Sequence, residues 1–339
     1  MSNRIFYACQ AVAIAKTGHN SASASEFSLM KGVQSVGIST NITLEQIFEL
    51  GQLEIYANEE QVAEVEVTLE KVIDGEKLLY LQAVGESGKT NIVDASNKRC
   101  DVYLAIFPDS SRFVAGVAKD HVVMCSGMFV SSVSYNYSVD GNATESLSLT
   151  GNNKFWDGVT ANMIGTTPTV LFGTPATGVN TLDGSDAPAS TGVARRHRFD
   201  LYGSTIPAEV LSQSNSTVGS SGIQSVSVSV DFGREDQYEL GRFGPYNKTA
   251  TYPLEVSTEF EVIATNGDLI SVSGAGTSTT ARTIILKDTT GTIINCGTRN
   301  RLASCNYQGG DTGGGNATIT FSYTGYNSFT VDGGGTYWS

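Results

Sequence analysis

Proline, histidine, tryptophan and charge are all scarce in this chain. Its 339 residues hold 7 Pro, 3 His and 2 Trp, and charged residues make up 16%, against about a quarter in ordinary soluble domains. His19, His121 and His197 are scattered, with no HxxxH or HExxH spacing, which removes the common zinc signatures. No Gly-x-Ser-x-Gly sits on a strand-to-helix turn, so the hydrolase nucleophile elbow is missing too. The Cys residues at 9, 100, 125, 296 and 305 are odd in number and lack CxxC spacing. They read as reduced thiols of a protein made in a cytoplasm. Basic residues are outnumbered, and the net charge of −13 disfavours sequence-independent binding to nucleic-acid backbones. No apolar run reaches membrane-spanning length. The stretch 1–18 carries only Arg4 and Lys16 and no signal-like apolar core, which predicts no signal peptide.

What is abundant is Gly, Ser, Thr, Val and Tyr, the material of short β-strands and turns. The chain also says one thing twice. Gly32-Val33-Gln34-Ser35-Val36 returns as Gly222-Ile223-Gln224-Ser225-Val226, and Glu49-Leu50-Gly51 as Glu239-Leu240-Gly241. Downstream, Gly141-Asn142-Ala143-Thr144 returns as Gly315-Asn316-Ala317-Thr318. Matched islands in the same order imply an internal duplication. The expected organisation is an arm over 1–31, copy one over 32–155, a linker or extended arm over 156–194, and copy two over 195–339.

Within each copy the patterning is that of half-buried strands. Val36, Ile38 and Ile42 oppose Ser35, Ser39 and Asn41; Val226, Val228 and Val230 oppose Ser225, Ser229 and Asp231. Val65, Val67 and Leu69 oppose Glu64, Glu66 and Glu70, and Val256, Thr258, Phe260 and Val262 oppose Glu255, Glu259 and Glu261. These second strands keep parity only with one residue inserted in copy two; a slip of one would exchange the faces. Residues 43–63 and 233–253 are long connections, acidic in copy one and partly basic in copy two. Lys77–Val84 predicts a short helix, with a weaker counterpart near Asp268–Ile270. Further strands are expected at 102–107, 113–117, 121–125, 129–139 and 143–149, then at 283–287, 292–296, 302–307 and 317–323. Asp140-Gly141 marks a hairpin.

The glycine run 309–315 has no Lys-Ser/Thr after it and no helix behind it, so it reads as a hairpin tip rather than a phosphate loop. Arg195-Arg196-His197-Arg198 reads as a solvated or partner-facing patch. The Glu rows read by default as an exposed antiparallel face, yet the same row occurs in both copies.

The order of strand, long loop, strand, short helix and hairpin strands ending at Gly-Asn-Ala-Thr resembles the major tail tube proteins of long-tailed bacteriophages. More distantly it resembles the tube proteins of contractile injection and type VI secretion systems. The resemblance implies a mainly β fold: two tandem tail-tube-like β-sandwich or barrel domains, each with a short flanking helix and a long stacking loop. It implies a structural virion protein with no enzymatic activity and no cofactor. Three such chains would form a pseudo-hexameric ring, and stacked rings would conduct double-stranded DNA without specific binding. The lumen residues it implies are Ser35, Ser39, Asn41, Glu64, Glu66, Glu70, Ser225, Ser229, Asp231, Glu255, Glu259 and Glu261. The ring-stacking residues it implies are Glu45, Phe48, Glu49, Leu53 and Glu59, with Arg234, Tyr238, Arg242, Tyr246 and Lys248. Charge pairs across rings, such as Glu49 or Glu59 with Arg234, Arg242 or Lys248, are an expectation of the same reading. Partners would be other copies, the tape measure, the tail terminator and the baseplate or tip, in a virion tail made in the bacterial cytoplasm. A capsid decoration or adhesin-type binding protein is the alternative. A carbohydrate-active β-sandwich would need paired carboxylates in an aromatic cleft, and the regular Glu rows do not supply one.

Overall fold

The structure is a computed structural model that describes residues 5, 10–17, 27–51, 53–85, 90–106, 121–156, 192–213, 221–274, 276–277, 279–310 and 315–333. Most of the 156–194 segment, the expected strand at 113–117 and the centre of the 309–315 run lie outside the described residues.

In chain order the strands are β1 (Gln10–Lys16), β2 (Phe27–Leu29), β3 (Val33–Asn41), β4 (Leu44–Phe48), β5 (Ile55–Glu60), β6 (Glu64–Val72), β7 (Arg99–Ile106), β8 (His121–Ser138), β9 (Thr144–Gly151) and β10 (Asn153–Trp156). They continue as β11 (Ile223–Asp231), β12 (Arg234–Gln237), β13 (Asn247–Ala250), β14 (Glu255–Ile263), β15 (Val272–Ser273), β16 (Gly276–Thr277), β17 (Ile285–Lys287), β18 (Ile293–Asn295), β19 (Arg301–Gln308), β20 (Thr318–Tyr326) and β21 (Thr330–Asp332). The described residues also hold three short helices, α1 (Leu79–Val84), α2 (Ile92–Ala95) and α3 (Ala208–Leu211), with a 3-10 turn at Arg196–Arg198. The fold is mainly β, as the composition predicts.

The principal sheet runs β3-β6-β9-β8 and then, without a break, β11-β14-β20-β19. Those are the same four strands in the same order, once from each copy. Every neighbouring pair is antiparallel. The copies agree down to their irregularities. The ladder of β3 on β6 slips between Val33 and Ser35, and that of β11 on β14 between Ile223 and Ser225. The β8–β9 ladder is bulged at Val130/Ser132 and the β19–β20 ladder at Leu302/Ser304.

The repeated Gly-x-Gln-Ser-Val stretch explains itself in this setting. Gly32 and Gly222 have φ of +74° and +69°, a region that disfavours any residue with a Cβ. Their carbonyls accept from the amides of Val72 (3.1 Å) and Ile263 (2.9 Å). The amides of Gln34 and Gln224 side chains fold back onto the same carbonyls at 3.2 and 3.1 Å. Ser35 donates to Glu70 at 3.4 Å and Ser225 to Glu261 at 3.1 Å. The Gly-Asn-Ala-Thr echo is equally specific: the Ala143 carbonyl accepts from Ile73 N and the Ala317 carbonyl from Ala264 N.

Strand β8 is 18 residues long and joins two layers. Its second half lies between β9 and β11, while its first half pairs with β7 and β10. The sequence pattern separates 121–125 from 129–139. Instead the Asp101 carboxylate accepts from Ser126 Oγ (3.0 Å) and Gly127 N (2.8 Å) and carries the strand through a left-handed glycine. The β7 edge is extended by β1 and then β2. Residues 10–16 are thus not an arm but a strand buried on both faces. Val12 and Ile14 enter the main core, while Ala11, Ala13 and Ala15 pack with Tyr103, Val122 and Met124 on the other side.

One core serves both copies. Tyr80 on α1 meets Phe232 and Phe329 of copy two at ring-centroid distances of 6.4 and 6.2 Å. Helix α1 begins at Leu79, two residues after the expected start, runs to Val84 as expected and is capped by the left-handed Gly85. Copy two has no counterpart at 268–270; Leu269 there has a φ of +56°. The reason lies in the partner at the helix start. Fully buried Glu145 accepts from the amides of Leu79 (2.6 Å) and Tyr80 (3.0 Å) and from Tyr135 Oη (2.9 Å). In the β9–β20 equivalence Ile319 takes its place, and it accepts nothing. The one short helix of copy two with a described position, α3, precedes its first strand. Each long connection also holds structure of its own: a β4–β5 hairpin in copy one and a β12–β13 hairpin in copy two.

Burial outweighs the amide donors, Tyr135 and Lys71 and raises the Glu145 pKa. The folded chain therefore holds this proton more tightly than the unfolded chain does. The group favours folding below the unfolded value of about 4.3 and loses that contribution as pH rises through the raised folded value. Glu145→Gln is expected to remove this part of the pH dependence. Glu145→Ala strands two buried amides and is expected to cost about 3 kcal/mol. Urea unfolding across mildly acidic pH checks both.

Candidate functional site: an acidic sheet face and two hairpins at one end

The alternation of β3, β6, β11 and β14 gives the principal sheet one apolar and one polar face. On β6, Val65, Val67 and Leu69 are buried while Glu64, Glu66 and Thr68 are exposed. Register sets the polar side chains side by side: Ser35 lies opposite Glu70, Ser39 opposite Glu66 and Asn41 opposite Glu64. In copy two Ser225 lies opposite Glu261, Ser227 opposite Glu259 and Asp231 opposite Glu255. All twelve residues named from the sequence for a lumen therefore share this face, and none is buried. The intervening strands add Ser146, Ser148 and Thr150 on β9, Ser132 and Ser134 on β8, Thr320 and Ser322 on β20 and Asn306 on β19. Against the carboxylates, Arg301 at the end of β19 has the same parity.

The two hairpins leave this sheet at the same end. The β4–β5 hairpin links the end of β3 to the start of β6, the β12–β13 hairpin links the end of β11 to the start of β14, and β3 and β11 run in the same direction. Their tips are alike. The repeated Glu-Leu-Gly triplet places Gly51 and Gly241 at φ of +93° and +86° and leaves Leu50 and Leu240 fully exposed at 102% and 104%. Phe48, Leu53, Phe243, Tyr238 and Tyr246 are exposed beside them, as are Glu45, Glu49 and Glu59. Leu50, Leu240 and Phe243 belong to this set although loop charge alone did not single them out. The signal was the repeat itself, an exposed leucine kept in both copies.

The charge difference between the hairpins is smaller than the sequence implies. Arg234 does not face outward. Its Nε donates to the Val130 carbonyl (2.7 Å), its Nη2 to the Ser96 carbonyl (2.6 Å), and its guanidinium lies over the rings of Phe129 and Phe232 at 5.2 and 5.1 Å. Burial pushes it down to about 10. Lys248 is buried and paired with Asp236 at 2.6 Å. Only Arg242, beside Glu239 at 3.6 Å, is an exposed base of the three. The expected pairing of Arg234 and Lys248 with acids of another ring is therefore dropped: both are engaged within the chain.

Among the described residues no group of His, Cys, Asp and Glu could hold a metal ion, and no helix is long and apolar enough to cross a membrane. The cysteines at 100, 125 and 296 are buried, and burial raises the pKa of each, which makes them poor nucleophiles.

No protein-family model matches the chain, and no curated protein matches it. Among solved structures, a chain of the anti-feeding prophage baseplate is similar at 13% identity and a TM-score of 0.34, over 47% of this chain and 99% of that one. A chain from the sheath–tube complex of an extracellular contractile injection system is similar at 15% identity and a TM-score of 0.31, over 46% and 93%. A chain from the anti-feeding prophage cap is similar at 12% identity and a TM-score of 0.33, over 46% and 92%.

Arg234→Ala removes two buried hydrogen bonds and two ring contacts and is expected to lower stability by about 2–4 kcal/mol. Arg242→Ala, which breaks only an exposed pair, is expected to stay within about 0.5 kcal/mol of the parent. Denaturant unfolding of the two variants side by side measures the difference.

Proposed function

We propose that this chain is a structural subunit of a phage-type tail tube. Three copies form a ring, and rings stack into a conduit for double-stranded DNA. The observation that carries this reading is the principal sheet: one four-strand block, used twice in the same order, with an acidic polar face and with β3 and β19 each paired on one side only among the described strands. A block that follows itself once within a chain is suited to follow itself again between chains. Open edges of this kind are aggregation liabilities unless a partner covers them, and ring closure removes them.

The polar face supports the choice of cargo. Four strands per block and six blocks give a sheet of about 24 strands at about 4.8 Å spacing, a backbone diameter of roughly 37 Å before strand tilt is added. That admits one duplex on the order of 20 Å wide, carrying about one negative charge per 1.7 Å of axis. A wall of Ser, Thr and Glu repels this charge and lets the duplex slide, where a basic wall would hold it. The hairpin tips supply the contact between rings, chiefly through Leu50, Leu53, Phe48, Leu240 and Phe243, because exposed ion pairs contribute only about 0–1 kcal/mol each. The other partners are the tape measure, terminator and baseplate or tip of the same tail. The protein needs no cofactor and no catalytic group.

Negative-stain electron microscopy of concentrated protein is expected to show long tubes with a central hole, and native mass spectrometry of dissociated rings to show trimers. Particles without a hole, or a ring of six full chains, would overturn the assembly. Leu50→Asp with Leu240→Asp is expected to leave trimers intact and abolish tubes. Changing Glu66, Glu70, Glu259 and Glu261 to Lys is expected to preserve tubes but slow DNA ejection, with the defect easing at high salt.

A further inference from the structure

The internal joint between β8 and β11 has a counterpart that is open among the described strands. Residues 132–136 of β8 correspond to 304–308 of β19, because Ser132 faces Ser148 as Ser304 faces Ser322, and Asn136 faces Thr144 as Gln308 faces Thr318. Residues 225–231 of β11 correspond to 35–41 of β3, because Ser225 faces Glu261 as Ser35 faces Glu70. At the internal joint Tyr135 lies opposite Val228, Ser134 opposite Ser229 and Val133 opposite Val230. Transferred to the open edges, these pairs become Tyr307 with Ile38, Asn306 with Ser39, and Cys305 with Thr40.

Burial marks the same positions. Tyr135 is 0% exposed, whereas its counterpart Tyr307 is 57% exposed. Val226 and Val228 are buried, whereas Val36 and Ile38 are only half-buried. The apolar residues that are covered at the internal joint are the ones left uncovered at both edges. Parity agrees as well: Tyr307 faces Ile38 and Asn306 faces Ser39, and a slip of one residue would set apolar side chains opposite polar ones.

The register also carries the curvature of a closed sheet. One row crosses the sheet from Gly37 to Thr68, Ser148, Ser132 and Asp231. The counterpart of Asp231 in copy one is Asn41, so each block of four strands is displaced along the strand by four residues. One residue per strand, about 3.3 Å along for about 4.8 Å across, is a tilt of about 35°, where closed barrels lie. At that tilt the six-block sheet has a backbone diameter of roughly 45 Å.

We infer that β19 of one chain pairs antiparallel with β3 of a second copy, in the register that sets Cys305 opposite Thr40. This rests on the ring proposed above and adds to it the strands, the direction and the residue-by-residue alignment. The two edges of one chain are seven strand spacings apart, about 34 Å, far beyond the reach of a disulfide, so any bond between them joins two chains.

The test uses the full chain with its native Cys305. Burial first, then Asp268, push that thiol up to about 11, so oxidation is catalysed with copper–phenanthroline. Thr40→Cys is expected to give disulfide-linked dimers and trimers on a non-reducing gel, lost on reduction and lost in the Thr40→Cys/Cys305→Ser double variant. Ile38→Cys and Ile42→Cys, two residues to either side, are expected to cross-link several-fold less, since diagonal neighbours stand about 7–8 Å apart. A yield highest at 38 or 42 overturns the register and leaves the ring standing. No cross-link from any of the three in a protein that native mass spectrometry shows as a trimer overturns the β19–β3 joint. A monomer at all concentrations overturns the ring itself.

Discussion

The antiparallel pairing of β8 with β11 is the constraint on which the rest depends. It fuses two copies of one block into a single sheet with a single register, so that every alternation in copy one is carried in phase into copy two. The polar face is continuous because the row through Ser132 and Asp231 is continuous. The core is continuous for the same reason: Tyr135 on β8 lies buried against Phe329 of copy two at 6.3 Å. Around that joint the structure invests its strongest cross-copy contacts. Arg234 bridges Val130 of β8 and Ser96 at the end of α2 from the base of the second hairpin, and Tyr137 donates to the buried Asp288 at 3.0 Å.

The copies have diverged where they need not match and agree where they must. Glu145 holds the start of α1, and Ile319 at the equivalent position of copy two offers no acceptor to a helix start. The sheet, by contrast, keeps its order, its bulges and the left-handed glycines at 32 and 222. The hairpin tips, distant from any core, also agree, down to the glycine that turns each and the leucine that each exposes. Leu50 and Leu240 are fully exposed at these tips and pack against no core of the chain.

Much of this was legible in the sequence because β periodicity is local. The alternation over 33–42 and 223–232, the Glu rows, the one-residue insertion before the second strand and the Asp140-Gly141 turn each need only a few residues to read. The faces of the sheet and the exposure of the twelve named residues follow directly from that parity. The repeat identified the equivalent positions before any contact was known.

What the sequence could not decide is whatever depends on groups far apart in the chain. The pattern breaks between 121–125 and 129–139, and only Asp101, brought alongside by β7, makes Ser126 and Gly127 the middle of one long strand. Arg234 and Lys248 read as loop charges, and only their distant partners reveal that both are spoken for. The Ala-rich stretch of β1 reads as an arm, because its burial comes from β7 on one edge and a second small core behind it. The sequence by itself determined the alternation and the faces of β3, β6, β11 and β14 and the repeated stretches, because those are set by side-chain period and local identity. The tertiary structure alone decided that the two copies share one sheet, which edges stay open and in what register, because strand order and stagger are properties of pairing between segments and leave no local trace.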